Sequence, residues 1–193
     1  MPLCFAAVSR RVVLSAFLAL AAEPLLAADD SAAPAQALLA EGKAEEALTL
    51  CTAGLAKDAT NVALLHTAAE ASIALKQPAK AIGFLERAFA AAPKDRSVVH
   101  NLARSLYRAD AQPRAIKLVR DHLAAHPKVL DEPLLDQLLY MIASADEPTR
   151  KLKAVADAAA FAEQYTKSLE AQRPGERRWG ATWRPAQEVV ELE

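Results

Sequence analysis

The apolar positions of this chain recur in one order, and the order repeats. The stretches "KAEEALTLCTAGLAKDAT", "PAKAIGFLERAFAAAPKD" and "PRAIKLVRDHLAAHPK" share a pattern. Ala47, Ala81 and Ala115 are spaced by 34 residues, as are Leu48, Ile82 and Ile116, and again Cys51, Leu85 and Val119. The segments ahead of them match at the same interval: Leu65 with Val99, Ala68 with Leu102, Ala69 with Ala103. Within each stretch the apolar residues keep helical spacing. Few segments alternate apolar and polar residues in a β-branched run, so the pattern predicts an all-α protein built of repeated helix pairs.

Each repeated column has a physical reason. Small residues such as Ala69, Ala81, Ala103 and Ala115 suit places where two helices cross closely. Pro93 and Pro127 stand 34 apart and end a helix, because proline lacks the N–H that would continue it. Pro78 and Pro113 fall at the opening of a second helix, where that N–H is not needed. One such pair cannot bury its apolar face alone, so neighbours must stack.

The 34-residue period and these residues resemble the tetratricopeptide repeat, a helix–turn–helix unit. The resemblance covers residues 29–127. Two columns depart from the family pattern: neither clear repeat has the early tryptophan, and the first has Ala59 in place of the closing proline. The resemblance implies a right-handed α-solenoid of about four hairpins, with the first helix of each lining a concave groove. It also implies a scaffold that binds a protein or peptide there.

After Pro127 the register drifts. Residues 128–171 still read as two helices, the second opening at Pro148 and running to about Ala171. Asp131, and Asp146 or Glu147, are suited to cap them or to occupy their first turns. This pair is expected to be a divergent fourth repeat or a set of capping helices. Residues 172–193 form a tail, opened by the turn signal Pro174-Gly175, that carries both tryptophans of the chain, Trp179 and Trp183, among arginines. With Gly180 and Pro185 so near, neither a long helix nor a sheet is expected in it. Two tryptophans also argue against a disordered end. The tail is expected to shield the last hairpin as a clamp, with recognition of a partner as the alternative and contact with a glycan or lipid surface after that.

Composition supports this picture. Hydrophobic residues make up 53% of the 193, much of it alanine, against 5% aromatics and 5 glycines. The formal net charge of −1 gives no electrostatic reason for a nucleic acid partner.

Residues 1–28 read as an export signal. Arg10 and Arg11 supply the positive start, Val12 to Ala22 an uncharged apolar run, and "LLAADD" small residues for cleavage after Ala28. The apolar run is shorter than the roughly 20 residues a spanning helix needs, and Glu23 interrupts it. The expectation is a periplasmic or secreted protein with no stable membrane anchor after cleavage. "SRRVVL" resembles a twin-arginine signal but lacks its aromatic and its lysine, so the ordinary secretory route comes first. Cleavage removes Cys4 and leaves Cys51 alone on a helix, expected as a buried thiol.

No phosphate loop, dinucleotide glycine motif, HExxH, CxxC or GxSxG occurs, so the chain reads as a non-enzyme with no catalytic residue, no metal site and no cofactor. Candidate partner-binding residues come from the first helices: His66 and Glu70, with Thr67 beside them, then His100, Asn101, Arg104, Tyr107 and Arg108. Trp179 and Trp183 complete the set. His66 and His100 are 34 apart and equivalent, but two histidines without a third ligand suit polar contact better than a metal. Arg104 and Arg108, one turn apart, suit a partner's carboxylate. The lysine and asparagine pattern of repeats that clamp a C-terminal carboxylate is not present. Phe84, Phe89 and Tyr140 are expected in the core. The function expected is a scaffold in the assembly of an envelope complex. An accessory subunit positioning a separate enzyme is the alternative, followed by an enzyme with an unrecognised site.

Overall fold

The computed structural model describes residues 32–127 and 129–192. The expected export signal, with Cys4, lies outside the described residues. The chain is an all-α solenoid in which consecutive helices fold back on one another. Helices α1 (Ala33–Ala40) and α2 (Ala44–Leu55) pair, as do α3 (Val62–Ala74) with α4 (Pro78–Ala91) and α5 (Arg96–Arg108) with α6 (Gln112–Ala125).

The prolines act as their positions require. Pro78 and Pro113 sit in the first turns of α4 and α6, and Pro93 and Pro127 follow the ends of those helices. The turn inside each hairpin is the same device three times. Gly42, Lys76 and Asp110, 34 residues apart, take left-handed φ values of 79°, 58° and 59°. In each case the next residue's N–H reaches back to the last turn of the first helix: Lys43 to the Leu38 carbonyl, Gln77 to Ser72, Ala111 to Leu106. These are Schellman-type ends, which satisfy carbonyls that the helix leaves open. Three of the first helices start alike. Asn61, Asp95 and Asp131 accept the backbone N–H of Leu64, Ser97 and Leu134 respectively.

The core follows the repeated columns. Leu64, Leu65 and Ala68 of α3 are buried, as are Val98, Val99 and Leu102 of α5. Ala47, Ala81 and Ala115, the small column, are fully buried where helices meet. Cys51 is a free, buried thiol, and burial raises its pKa above the ordinary value. Phe84 and Phe89 are half-buried against the core.

Helix α7 (Glu132–Ser144) packs on α6, and Leu134, Leu135 and Leu138 enter the core. The single helix expected from Pro148 to Ala171 is two. Asp146 caps a one-turn helix α8 (Glu147–Arg150), and α9 (Lys153–Glu170) starts afresh after Leu152. No α8 residue is buried, so that polar turn offers the core nothing; the apolar face begins at Val155. Tyr165 of α9 ties the connection into α7, accepting the Asp131 N–H at 2.9 Å and donating to the Val129 carbonyl at 3.1 Å.

The tail corrects the expectation that no sheet forms. Strands β1 (Glu176–Trp179) and β2 (Thr182–Pro185) pair antiparallel through a two-residue turn at Gly180-Ala181, with Gly180 at φ 61°. A glycine at the first turn position provides the backbone sense that a tight hairpin needs. A short helix α10 (Ala186–Leu192) follows and packs on the hairpin, with Val189 buried.

Candidate binding groove

The polar faces of α3, α5 and α7 line one side of the stack. Asn101 Nδ2 lies 3.3 Å from His66 Nδ1. The Asn101 amide N–H can donate to Nδ1 in this contact. The His66 Nε2 is buried and has no hydrogen-bond partner among the described residues. Beside it, His66, Glu70 and Ile73 face Asn101, Arg104 and Ser105 across a hollow of about 20 Å³. A side pocket on the other flank of His66 is lined by Gln36, Val62 and Ser97.

Between α5 and α7 two further bonds repeat the motif. Gln137 Nε2 donates to the His100 carbonyl at 3.0 Å, and Tyr107 Oη donates to the Met141 carbonyl at 3.1 Å. The side chains of Asn101, Tyr107 and Gln137 therefore bind neighbouring helices together. The Tyr107 hydroxyl is spent on that bond, and burial raises its pKa.

The other candidates separate by exposure. Glu70, Arg104 and Arg108 are exposed, and none has an ion pair among the described residues. His100 is half-buried and lines a separate pocket with Arg96 and Pro133, so it does not join His66 at one point. Among the described residues no three His, Cys, Asp or Glu side chains are grouped to hold a metal. Thr67 departs from the expectation: it is buried and its hydroxyl donates to the Ala63 carbonyl, which satisfies a polar group inside the core.

Tyr140 also departs, being 67% exposed rather than in the core. The buried trio Val98, Val99, Leu102 is matched in α7 by Leu134, Leu135, Leu138, an offset of 36 rather than 34. Tyr140 thereby falls in the column of Glu70 and Arg104, not that of buried Leu106.

The two tryptophans take opposite roles because strand side chains alternate. Trp183 pairs with Arg178, and Trp179 with Thr182, so the first pair faces the helices and the second faces away. Trp183 packs against the core and donates its indole N–H to Glu132 Oε2 at 2.9 Å, with the Arg173 guanidinium 4.3 Å above its ring. The Arg178 side chain is 2% exposed, ion-paired with Asp136 and lying 3.6 Å from Glu132 Oε2. Glu170 Oε1 accepts the Arg178 backbone N–H at 2.9 Å. Trp179 remains exposed at the turn.

Fold and groove together define a helical-repeat protein. Residues 38–106 match the family model of the tetratricopeptide repeat, so this segment carries tetratricopeptide repeats. Among solved structures it is similar to "MamA RS-1 ArsTM double mutant", with 17% identity and a TM-score of 0.52, over 72% of this chain and 75% of that one. A second crystal structure of MamA is similar at 14% identity and a TM-score of 0.52, over 70% and 75% of the two chains. At these identities the likeness is one of fold. No curated protein matches the chain.

Proposed function

We propose that this protein is an exported scaffold whose first-helix groove binds an extended, acidic segment of a partner protein in an envelope complex. One observation carries the reading: the groove presents donors that the fold does not use. Arg104 and Arg108, one turn apart on α5, have no carboxylate among the described residues. The rigid ladder of Asn101, Tyr107 and Gln137 holds α3, α5 and α7 in place, so little ordering is needed on binding. Exposed Tyr140, in the same column as Arg104, offers an aromatic surface beside the charges. Export rests on the n-, h- and c-region pattern of residues 1–28.

A photo-cross-linking residue at Ser105 tests the site. Attachment to one polypeptide from Ser105, and none from Ala90 on α4, is the expected result. Equal labelling from both positions would sink the reading.

A further inference from the structure

A cavity of about 830 Å³ is on the opposite side of the stack from the groove, between the second helices α4 and α6. Its floor is Leu102 and Leu106 of α5, and Phe89 and Leu118 wall it. Leu102 and Leu106 are buried beneath it, while Phe89 and Leu118 are half-buried and present apolar surface to the opening. The exposed wall is mainly apolar inside a rim of charged and imidazole side chains, and a volume of that size suits a small molecule.

An ion pair bridges the slot at one end, and two histidines border it at the other. At one, Arg114 Nη2 of α6 meets Glu86 Oε1 of α4 at 2.7 Å. At the other, His122 and His126 of α6 and Pro93 and Lys94, just beyond α4, line the opening. From Arg114 to His122 the helix rises about 12 Å. That length is shorter than a docked helix of ordinary length, which spans about 15–20 Å, and suits a smaller occupant.

The charges around the slot are also unequal. Glu86 and Asp121 are taken up by Arg114, Lys117 and Arg120. Lys94, at the Pro93 end, lines the cavity with no carboxylate partner among the described residues. We propose that this slot binds a small amphiphilic carboxylate, its apolar body of about ten carbons on Leu102, Leu106, Phe89 and Leu118 and its head at Lys94.

The probe is decanoate, titrated calorimetrically into the purified protein. Saturable binding of one equivalent is expected, with a dissociation constant below about 1 mM. Lys94→Glu and the replacement of decanoate by decanol each weaken it by about tenfold. Ala125→Trp, which fills the slot from an exposed wall position, abolishes it. Arg104→Ala on the other face leaves it unchanged, so the result stands apart from the groove. Far-UV circular dichroism identical to wild type shows that the variants are folded. No saturable binding up to about 1 mM, binding that survives Ala125→Trp, or decanol binding as tightly as decanoate would overturn the proposal.

Discussion

Lys76 and Asp110, 34 residues apart, both occupy left-handed backbone, at φ 58° and 59°, in the place that Gly42 takes in the first hairpin. Left-handed backbone costs a residue with a Cβ about 1–2 kcal/mol, and glycine escapes that cost at some loss of chain entropy. Lys76→Gly and Asp110→Gly are each expected to stabilise the protein by about 0.5–1 kcal/mol, read as a higher midpoint in urea. A lower midpoint in both would contradict the turn geometry.

The tail hairpin makes a spectroscopic prediction. In Trp179→Phe the remaining Trp183, packed on the core under Arg173, should emit at short wavelength and resist acrylamide. In Trp183→Phe the remaining Trp179 should emit at long wavelength and quench readily. The reverse pattern would place the hairpin the other way round.

Tyr165 closes the approach to α7 through one hydroxyl that serves Asp131 N–H and Val129 C=O. Tyr165→Phe removes the acceptor and strands a buried donor, at a cost of about 1–3 kcal/mol. Amide exchange at Asp131 should quicken more than exchange at Leu102. Unchanged exchange at Asp131 would show that the bond is not made in solution.

His122 adds a pH dependence. Burial first, and then the charge of His126, hold its pKa below the ordinary 6.5, against the opposing pull of Asp131 and the Pro93 carbonyl. A depressed histidine means that the unfolded chain binds the proton more readily. Its stability contribution is therefore complete above about pH 6.5 and is lost as the pH falls toward the lowered value. The unfolding midpoint of His122→Asn should decline less than that of wild type between about pH 7 and pH 5. Parallel declines would count against this placement of the ring.

The helix pairs were legible in the sequence because each rests on local signals that repeat: the alanine column, Pro78 and Pro113 at helix starts, Pro93 and Pro127 after helix ends. The shared left-handed turn was not, since Gly42, Lys76 and Asp110 have no side-chain property in common and only the backbone unites them. Tyr140 was expected in the core from helical spacing alone, but the offset of 36 in α7 sets it in the column of exposed Arg104. Thr67 looked like a groove residue because its polarity hides a hydroxyl bonded within its own helix. The β1–β2 hairpin is held by Glu132 and Asp136, more than 40 residues earlier in the chain, and such partners leave no trace in a short window. The candidate polar residues that the sequence placed on two first helices lie on α3 and α5. The sequence could not tell those that tie helices together, Asn101 and Tyr107, from those left open, Glu70, Arg104 and Arg108.

The most direct test of the scaffold is quantitative capture of envelope proteins by the immobilised protein, comparing wild type with Arg104→Ala/Arg108→Ala at matched helicity. One protein should be enriched by wild type and reduced by about tenfold or more in the variant, as two lost charge-assisted contacts require. Equal recovery of that protein by both would contradict a groove built around these arginines.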